Sequence, residues 1–207
     1  MFTHAAVGYA VARLALRGPR PPFGFFLTAA VLPVIPDLDV FLRPWVPYGH
    51  PLAHRGFTHS LAFALLLGML AAVAWRSQWG AVPGRAGGLG LLLTAVVASH
   101  GLLDALTDGG SGIAFFLPFD AGRYAFPVRP IPVSPIGVSA LLTDWGVDVL
   151  LWEVLLVWSF AGTAVAWAHG PRRLRLLCVL LAASGVGAWV WRLGGLEVLA
   201  VQAGVLR

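Results

Sequence analysis

The stretch Leu92-Leu93-Thr94-Ala95-Val96-Val97-Ala98-Ser99-His100-Gly101-Leu102-Leu103-Asp104 decides how this chain is read. It lies in an apolar run over 86–107, long enough to cross a bilayer core, which takes about 20 helical residues. Within that run His100 and Asp104 stand at i and i+4. On a helix this spacing brings two side chains onto one face with Cβ atoms about 5–6 Å apart. Ionisable groups in a membrane helix are costly and mark function by default. An imidazole and a carboxylate on one face can chelate an ion, or the carboxylate can orient the imidazole. A plain hydrogen bond between two intramembrane polar groups is the alternative for this pair.

Composition extends the membrane reading to the whole chain. Apolar residues make up 58% and charged residues 11%, with mean hydropathy +0.82; soluble domains carry about 25% charge. Further apolar runs cover 24–42, 60–75, 145–168 and 174–193, with a short one at 4–16 that carries Arg13. The run 24–42 is broken by Pro33 and Pro36, and 60–75 ends in the interfacial pair Trp75-Arg76. The expected fold is all-α: one polytopic membrane domain over 1–207, with about five to six membrane-embedded helices and an interfacial metal site.

All fourteen basic residues are arginine. The absence of lysine excludes a Schiff-base lysine, a P-loop lysine and a serine–lysine dyad. Neither a Gly-x-Ser-x-Gly elbow nor a His-Glu-x-x-His motif is present. The pairs Gly88/Gly90 and Gly185/Gly187 lack the third glycine of a dinucleotide fingerprint and suit close helix packing. The lone Cys178 cannot form an internal disulfide. The sequence pI of 10.6 comes from arginines scattered between apolar runs, so it reads as membrane topology rather than nucleic-acid binding.

If the six runs alternate across the bilayer, short turns with Arg17, Arg20, Arg76, Arg85, Arg172, Arg173 and Arg175 share one side. The positive-inside rule makes that side cytoplasmic. The longer segments 43–59 and 108–144, with Arg43, Arg55, Arg123 and Arg129, then face outward. The same alternation collects His4, Asp37, Asp39, His54, His59, His100 and Asp104 at the extracytoplasmic face, while His169 falls on the cytoplasmic side. His50 is read as a loop residue. Asp148 and Glu153 lie inside the 145–168 run as further ligands, a proton acceptor or arginine partners.

Histidine with carboxylate is the ligand set of a divalent metal, zinc first. The metal ligands expected are His4, Asp37, His54, His59, His100 and Asp104, a number that suits two ions better than one. Asp39 is the expected orienting group or base. Arg55, with Arg123 and Arg129, is expected to clamp a phosphate.

These residues carry a family likeness. Thr3-His4 with Gly8, Pro36-Asp37-Leu38-Asp39, His54-Arg55-Gly56-Phe57-Thr58-His59-Ser60, Ser99-His100 with Leu103-Asp104 and Thr107, and Pro118-Phe119 with Arg123 follow one another over 3–123. In this the chain resembles the YdjM-like family of inner-membrane metal-dependent hydrolases. The histidine–arginine–glycine block is the specific part. The resemblance implies metal-dependent hydrolysis, with a His-x-x-x-acid helix similar to those of zinc-dependent phospholipase C enzymes. The stretch Asp108-Gly109-Gly110-Ser111-Gly112 departs from that pattern.

The expected reaction is hydrolysis of a lipid phosphoester by metal-activated water, with a membrane lipid or lipid-linked substrate as partner. A metal-binding or metal-transporting protein without catalysis is the alternative. The proline-rich segment 113–138 holds Phe115, Phe116 and Phe119 with Arg123 and Arg129. It is expected to form a lid that admits an amphiphile, or else a packing loop over the bundle.

Overall fold

A computed structural model describes residues 2–16, 22–79, 86–134 and 139–202. Arg17, Arg20 and Arg85, used above to orient the chain, lie outside the described residues, as does part of the 113–138 segment, at 135–138. Six rods follow the six apolar runs. Helix α1 is Phe2–Ala15, and α2 is Phe23–Val31, continued by a 3₁₀ stretch Leu32–Leu42. Next come α3, Leu61–Trp79, and α4, Ala86–Ala105. A long rod then joins α5, Asp144–Trp152, through a π turn Glu153–Trp158, to α6, Ser159–His169. Helix α7 is Arg172–Gln202, so the short apolar tail after residue 195 extends this helix as far as Gln202.

Phe23–Leu42, Gly88–Ala105, Asp144–His169 and Arg172–Trp191 are each long and apolar enough to cross a membrane, and Leu61–Arg76 is a shorter apolar helix. No strand occurs among the described residues, only two isolated bridges, Thr107 with Ile131 and Ile113 with Tyr124.

The prolines of the second rod change its winding without ending it. A 3₁₀ helix pairs each carbonyl with the N–H three residues on. For Pro33 that residue is Pro36, which has no N–H. The Pro33 carbonyl is therefore available to a partner outside its helix. Helix α1 reaches this turn because Gly8 has no side chain: a Cβ there would stand 2.3 Å from the Ala29 carbonyl oxygen and 2.6 Å from Pro33 Cγ.

Phe25, Ala29, Leu93 and Val96, all fully buried, form the core between α1, α2, α3 and α4. A smaller cluster of Ile131, Leu156 and Val157 joins the α5–α6 rod to Val7 and Leu103. Many large apolar residues, such as Leu70, Leu91, Leu180 and Trp191, stay exposed on the bundle. Their location on long apolar helices suits hydrocarbon contact rather than water.

The segment after α4 is pinned to the bundle. Ala114 N–H donates to the Arg55 carbonyl, Leu61 N–H to Phe115, Phe126 N–H to Ala105 and Ile131 N–H to Leu106. Ile113, Ala114 and Ile131 are buried, while Phe119 is 93% exposed. The flanks thus pack as a covering loop, and the aromatic tip projects outward.

Candidate metal centre

The polar groups meet at one end of the bundle: the start of α1, the end of the second rod, the turn before α3 and the end of α4. The 50–60 connection turns sharply to get there. Gly56 is required, because a Cβ would lie 2.2 Å from the Pro51 carbonyl oxygen. Arg55 just before it adopts φ +66°, a left-handed conformation that costs a non-glycine residue about 1–2 kcal/mol. The turn delivers His59 at the end of a short 3₁₀ segment, Phe57–His59, two residues before α3.

Four side chains converge there. His100 Nε2 lies 3.5 Å from Asp37 Oδ1 and 3.8 Å from Asp104 Oδ2. His59 Nε2 lies 3.5 Å from Asp104 Oδ2 and 3.8 Å from Asp37 Oδ1. Donors about 2.0–2.1 Å from a tetrahedral ion stand about 3.4 Å apart. Both Nε2 atoms are buried and have no hydrogen-bond partner. Such orphaned nitrogens are rare in a folded protein and call for an explanation. A divalent ion among Asp37, His59, His100 and Asp104 supplies one.

The second contact of each imidazole sets its orientation. His100 Nδ1 donates to the freed Pro33 carbonyl at 2.7 Å, which leaves Nε2 as the lone-pair atom. His59 Nδ1 lies 3.0 Å from Thr58 Oγ1 and 3.3 Å from Asp39 Oδ2. Asp39 is fully engaged. Oδ2 accepts from Thr58 Oγ1 at 2.5 Å, and Oδ1 pairs with His54 Nδ1 at 2.8 Å. Asp39 thus links Thr58, His54 and His59.

The remaining expected ligands sit beside this set. His54 belongs to an adjoining group with Asp39 and His59. His54 Nδ1 lies 2.8 Å from Asp39 Oδ1, and His54 is not one of the four residues of the first cluster. His4 packs its ring 4.0 Å from that of His100, with Nε2 3.4 Å from Asp104 Oδ1, and its buried Nδ1 has no partner. Among the described residues, the candidate ligands thus form two adjoining groups, Asp37, His59, His100 and Asp104 in one and Asp39, His54 and His59 in the other, which share His59.

The three arginines have different surroundings. Arg55 is 4% exposed. Its Nε lies 3.5 Å from Asp104 Oδ2, while the two terminal nitrogens donate to the Gly109 carbonyl at 2.5 Å and to Thr107 Oγ1 at 2.7 Å. It is a wall of the site and offers no open fork for a phosphate. The unusual glycine stretch explains this: Gly110, at φ +76°, has no room for a Cβ, which would lie 2.4 Å from Arg55 Nη1. Arg123 stands over the Tyr48 ring at 5.1 Å, and Arg129 is exposed.

His169 is at the opposite end, 2.8 Å from the Arg13 carbonyl oxygen, and His50 is exposed. Asp148 is exposed on α5. Glu153 is buried and accepts from Thr3 Oγ1 at 2.5 Å, which in turn accepts from Trp158 Nε1. Thr3 and Thr58 are supporting residues that the sequence reading left without a role, although each adjoins a histidine singled out there.

Without metal, burial opposes a charge on His59, but the Asp104 and Asp39 carboxylates outweigh it and raise its pKa to about 9. Ligation through Nε2 must displace that proton. Metal affinity is therefore expected to rise about tenfold per pH unit up to pH 9, measured by chelator competition between pH 6.5 and 8.5. A flat profile would remove His59 from the ligand set. In metal-free protein the stability linked to the His59 charge runs the other way: it is complete below about 6.5 and is lost as pH rises through about 9.

Comparison with known proteins matches residues 1–194 to the model of the YdjM inner membrane protein family. The chain belongs to this family. Inner membrane protein YbcI of Escherichia coli (strain K12) is 35% identical over 161 residues, covering 76% of this chain and 90% of that protein. No solved structure matches. As a YdjM-family member with several membrane-length apolar helices, the chain is a multi-pass inner membrane protein that carries a cluster able to hold a metal.

Proposed function

We propose that this YdjM-family protein is a metal-dependent hydrolase of a lipid-like phosphoester. The observation that carries the reading is the pair of orphaned buried nitrogens, His59 Nε2 and His100 Nε2, facing two carboxylates. Asp37, His59, His100 and Asp104 would hold the ion, zinc by their donor chemistry. A divalent ion of this kind lowers the pKa of its water from 15.7 toward about 7 and neutralises charge developing on phosphate oxygens. Asp39 and the Pro33 carbonyl hold the two imidazoles in register. Arg55 holds Asp104 and balances its charge. Phe116, Phe119 and Phe126 are exposed on the covering segment, where an acyl or prenyl chain would lie, and Arg123 is the basic side chain nearest to a headgroup there.

The test is turnover. Protein in bicelles with zinc is expected to release phosphate or a phospho-headgroup from lipid, and His100→Ala is expected to abolish release. Failure of metal-loaded protein to cleave any phospholipid or polyprenyl phosphate would defeat the proposal.

A second reading, metal binding without catalysis, draws on the ligand count: four protein ligands resemble a closed structural site, whereas catalytic zinc keeps a position for water. Absorption spectra of the cobalt-substituted protein separate the two. A band shift on adding an anion such as phosphate indicates an exchangeable position and supports catalysis.

We also assign the site to the extracytoplasmic face. Among the described residues, Arg13, Arg76, Arg172, Arg173 and Arg175 lie at the far end of the bundle from it, as the positive-inside rule requires. In a Cys178→Ala background, His50→Cys is expected to react with an impermeant thiol reagent on intact spheroplasts, and Arg172→Cys only after lysis. The reverse labelling pattern would place the site in the cytoplasm.

A further inference from the structure

The end of the bundle away from the metal centre carries a second feature. At the α6–α7 turn, which contributes Gly170 and Pro171, a cleft of about 420 Å³ is lined by Trp167, Arg172, Arg175, Leu176 and Val179. Its polar part is cationic. Among the described residues, Arg175 hydrogen-bonds through Nε alone, donating to the Ala166 and Gly170 carbonyls at 3.1 Å and closing the end of α6. Its guanidinium stands 5.7 Å from the centre of the Trp167 ring, a cation–π contact that holds it at the cleft. Arg172 is exposed at the first position of α7, where the helix dipole adds positive potential. No acidic residue occurs in the sequence between Glu153 and Glu197, so the hairpin supplies no carboxylate of its own to neutralise these arginines.

The remaining wall is apolar. Leu176 and Val179 lie about one and two turns into the membrane-length part of α7, and Trp167 is 65% exposed beside them. The cleft therefore presents two guanidinium groups at the membrane surface above an apolar trough that runs toward the hydrocarbon. This arrangement matches an amphiphile with an anionic head: arginines at the surface take the phosphate, tryptophan lies at the interface and the aliphatic wall meets the chain.

We propose that the α6–α7 cleft is a binding site for the phosphate headgroup of an anionic phospholipid, separate from the metal centre. Its occupant would brace α7, whose membrane segment is otherwise only 11% buried, against the α5–α6 rod.

The test uses the full chain in mild detergent with native mass spectrometry. Equal amounts of phosphatidylglycerol and phosphatidylcholine are added. Phosphatidylglycerol is expected to be retained at least about fivefold more, from one kcal-scale contact per arginine. Arg172→Gln, at an exposed position, is expected to reduce that preference about fivefold, and Arg172→Lys to keep most of it. Arg43→Gln, at the opposite end, is expected to leave it unchanged. Equal retention of the two lipids, or an unaltered preference in Arg172→Gln, would overturn the proposal. Displacement of phosphatidylglycerol by millimolar inorganic phosphate would also overturn it, by showing a free-anion pocket. An equal effect of Arg43→Gln would reduce the preference to net charge. None of these readouts depends on metal or turnover.

Discussion

Asp104→Asn and His100→Ala are each expected to strip the protein of bound metal. A four-ligand zinc site in a small domain is worth about 10–16 kcal/mol, so losing one ligand costs about 3 kcal/mol, or 100-fold and more in affinity. His100 is a strict test because its ring is fully buried and its Nδ1 is committed to Pro33. Of the neighbouring imidazoles, His59 already faces the cluster and His54 is held by Asp39, whereas His4 beside His100 keeps a nitrogen without a partner, so the double variant His4→Ala/His100→Ala closes that route. Elemental analysis of purified protein reads the outcome directly. His169→Ala, at the other end of the bundle, is expected to keep full metal content. Full loading in both site variants would sink the ligand assignment, whatever the activity.

Arg55→Ala is expected to have the second large effect, on stability. The guanidinium is buried and, together with the charged His59, is a cationic neighbour of Asp104 when no metal is bound. Breaking a buried ion pair costs about 3–5 kcal/mol, and the charged His59 beside Asp104 offsets only part of that loss. The substitution also strands the Gly109 carbonyl and the Thr107 hydroxyl. Arg55→Gly is expected to be less harmful than Arg55→Ala by about 1 kcal/mol, because glycine relieves the left-handed backbone at this position. Unfolding in mixed micelles with and without zinc measures both variants, with metal expected to recover part of the loss. A change below about 1 kcal/mol in metal-free Arg55→Ala would mean that the pair is solvated and that Arg55 is available for substrate after all.

Much of this protein was legible in its sequence, because a bilayer leaves few options. Backbone polar groups in hydrocarbon must be satisfied internally, so runs such as 145–168 and 174–193 had to become helices. Alternation of those helices then brought His4, Asp37, His59, His100 and Asp104 to one end, and the i, i+4 spacing of His100 and Asp104 already placed both on one face. Family membership was likewise carried by short blocks of residues in order.

Tertiary structure alone decided which polar groups face the centre and which support it. His54 and His59 are equivalent in a sequence reading. They differ because Asp39 lies within hydrogen-bond reach of Nδ1 on both, and only His59 has its Nε2 turned toward Asp37 and Asp104. Arg55 read as a phosphate clamp because a sequence shows charge but not burial. The glycines at 109 and 110, far along the chain, let a loop close over its guanidinium and turn it into a wall. The Pro33 carbonyl that orients His100 was not foreseeable either, since it depends on a 3₁₀ winding that leaves the missing N–H of Pro36 opposite that oxygen. Local spacing determined which residues reach the site, and packing across distant segments determined what each of them does there.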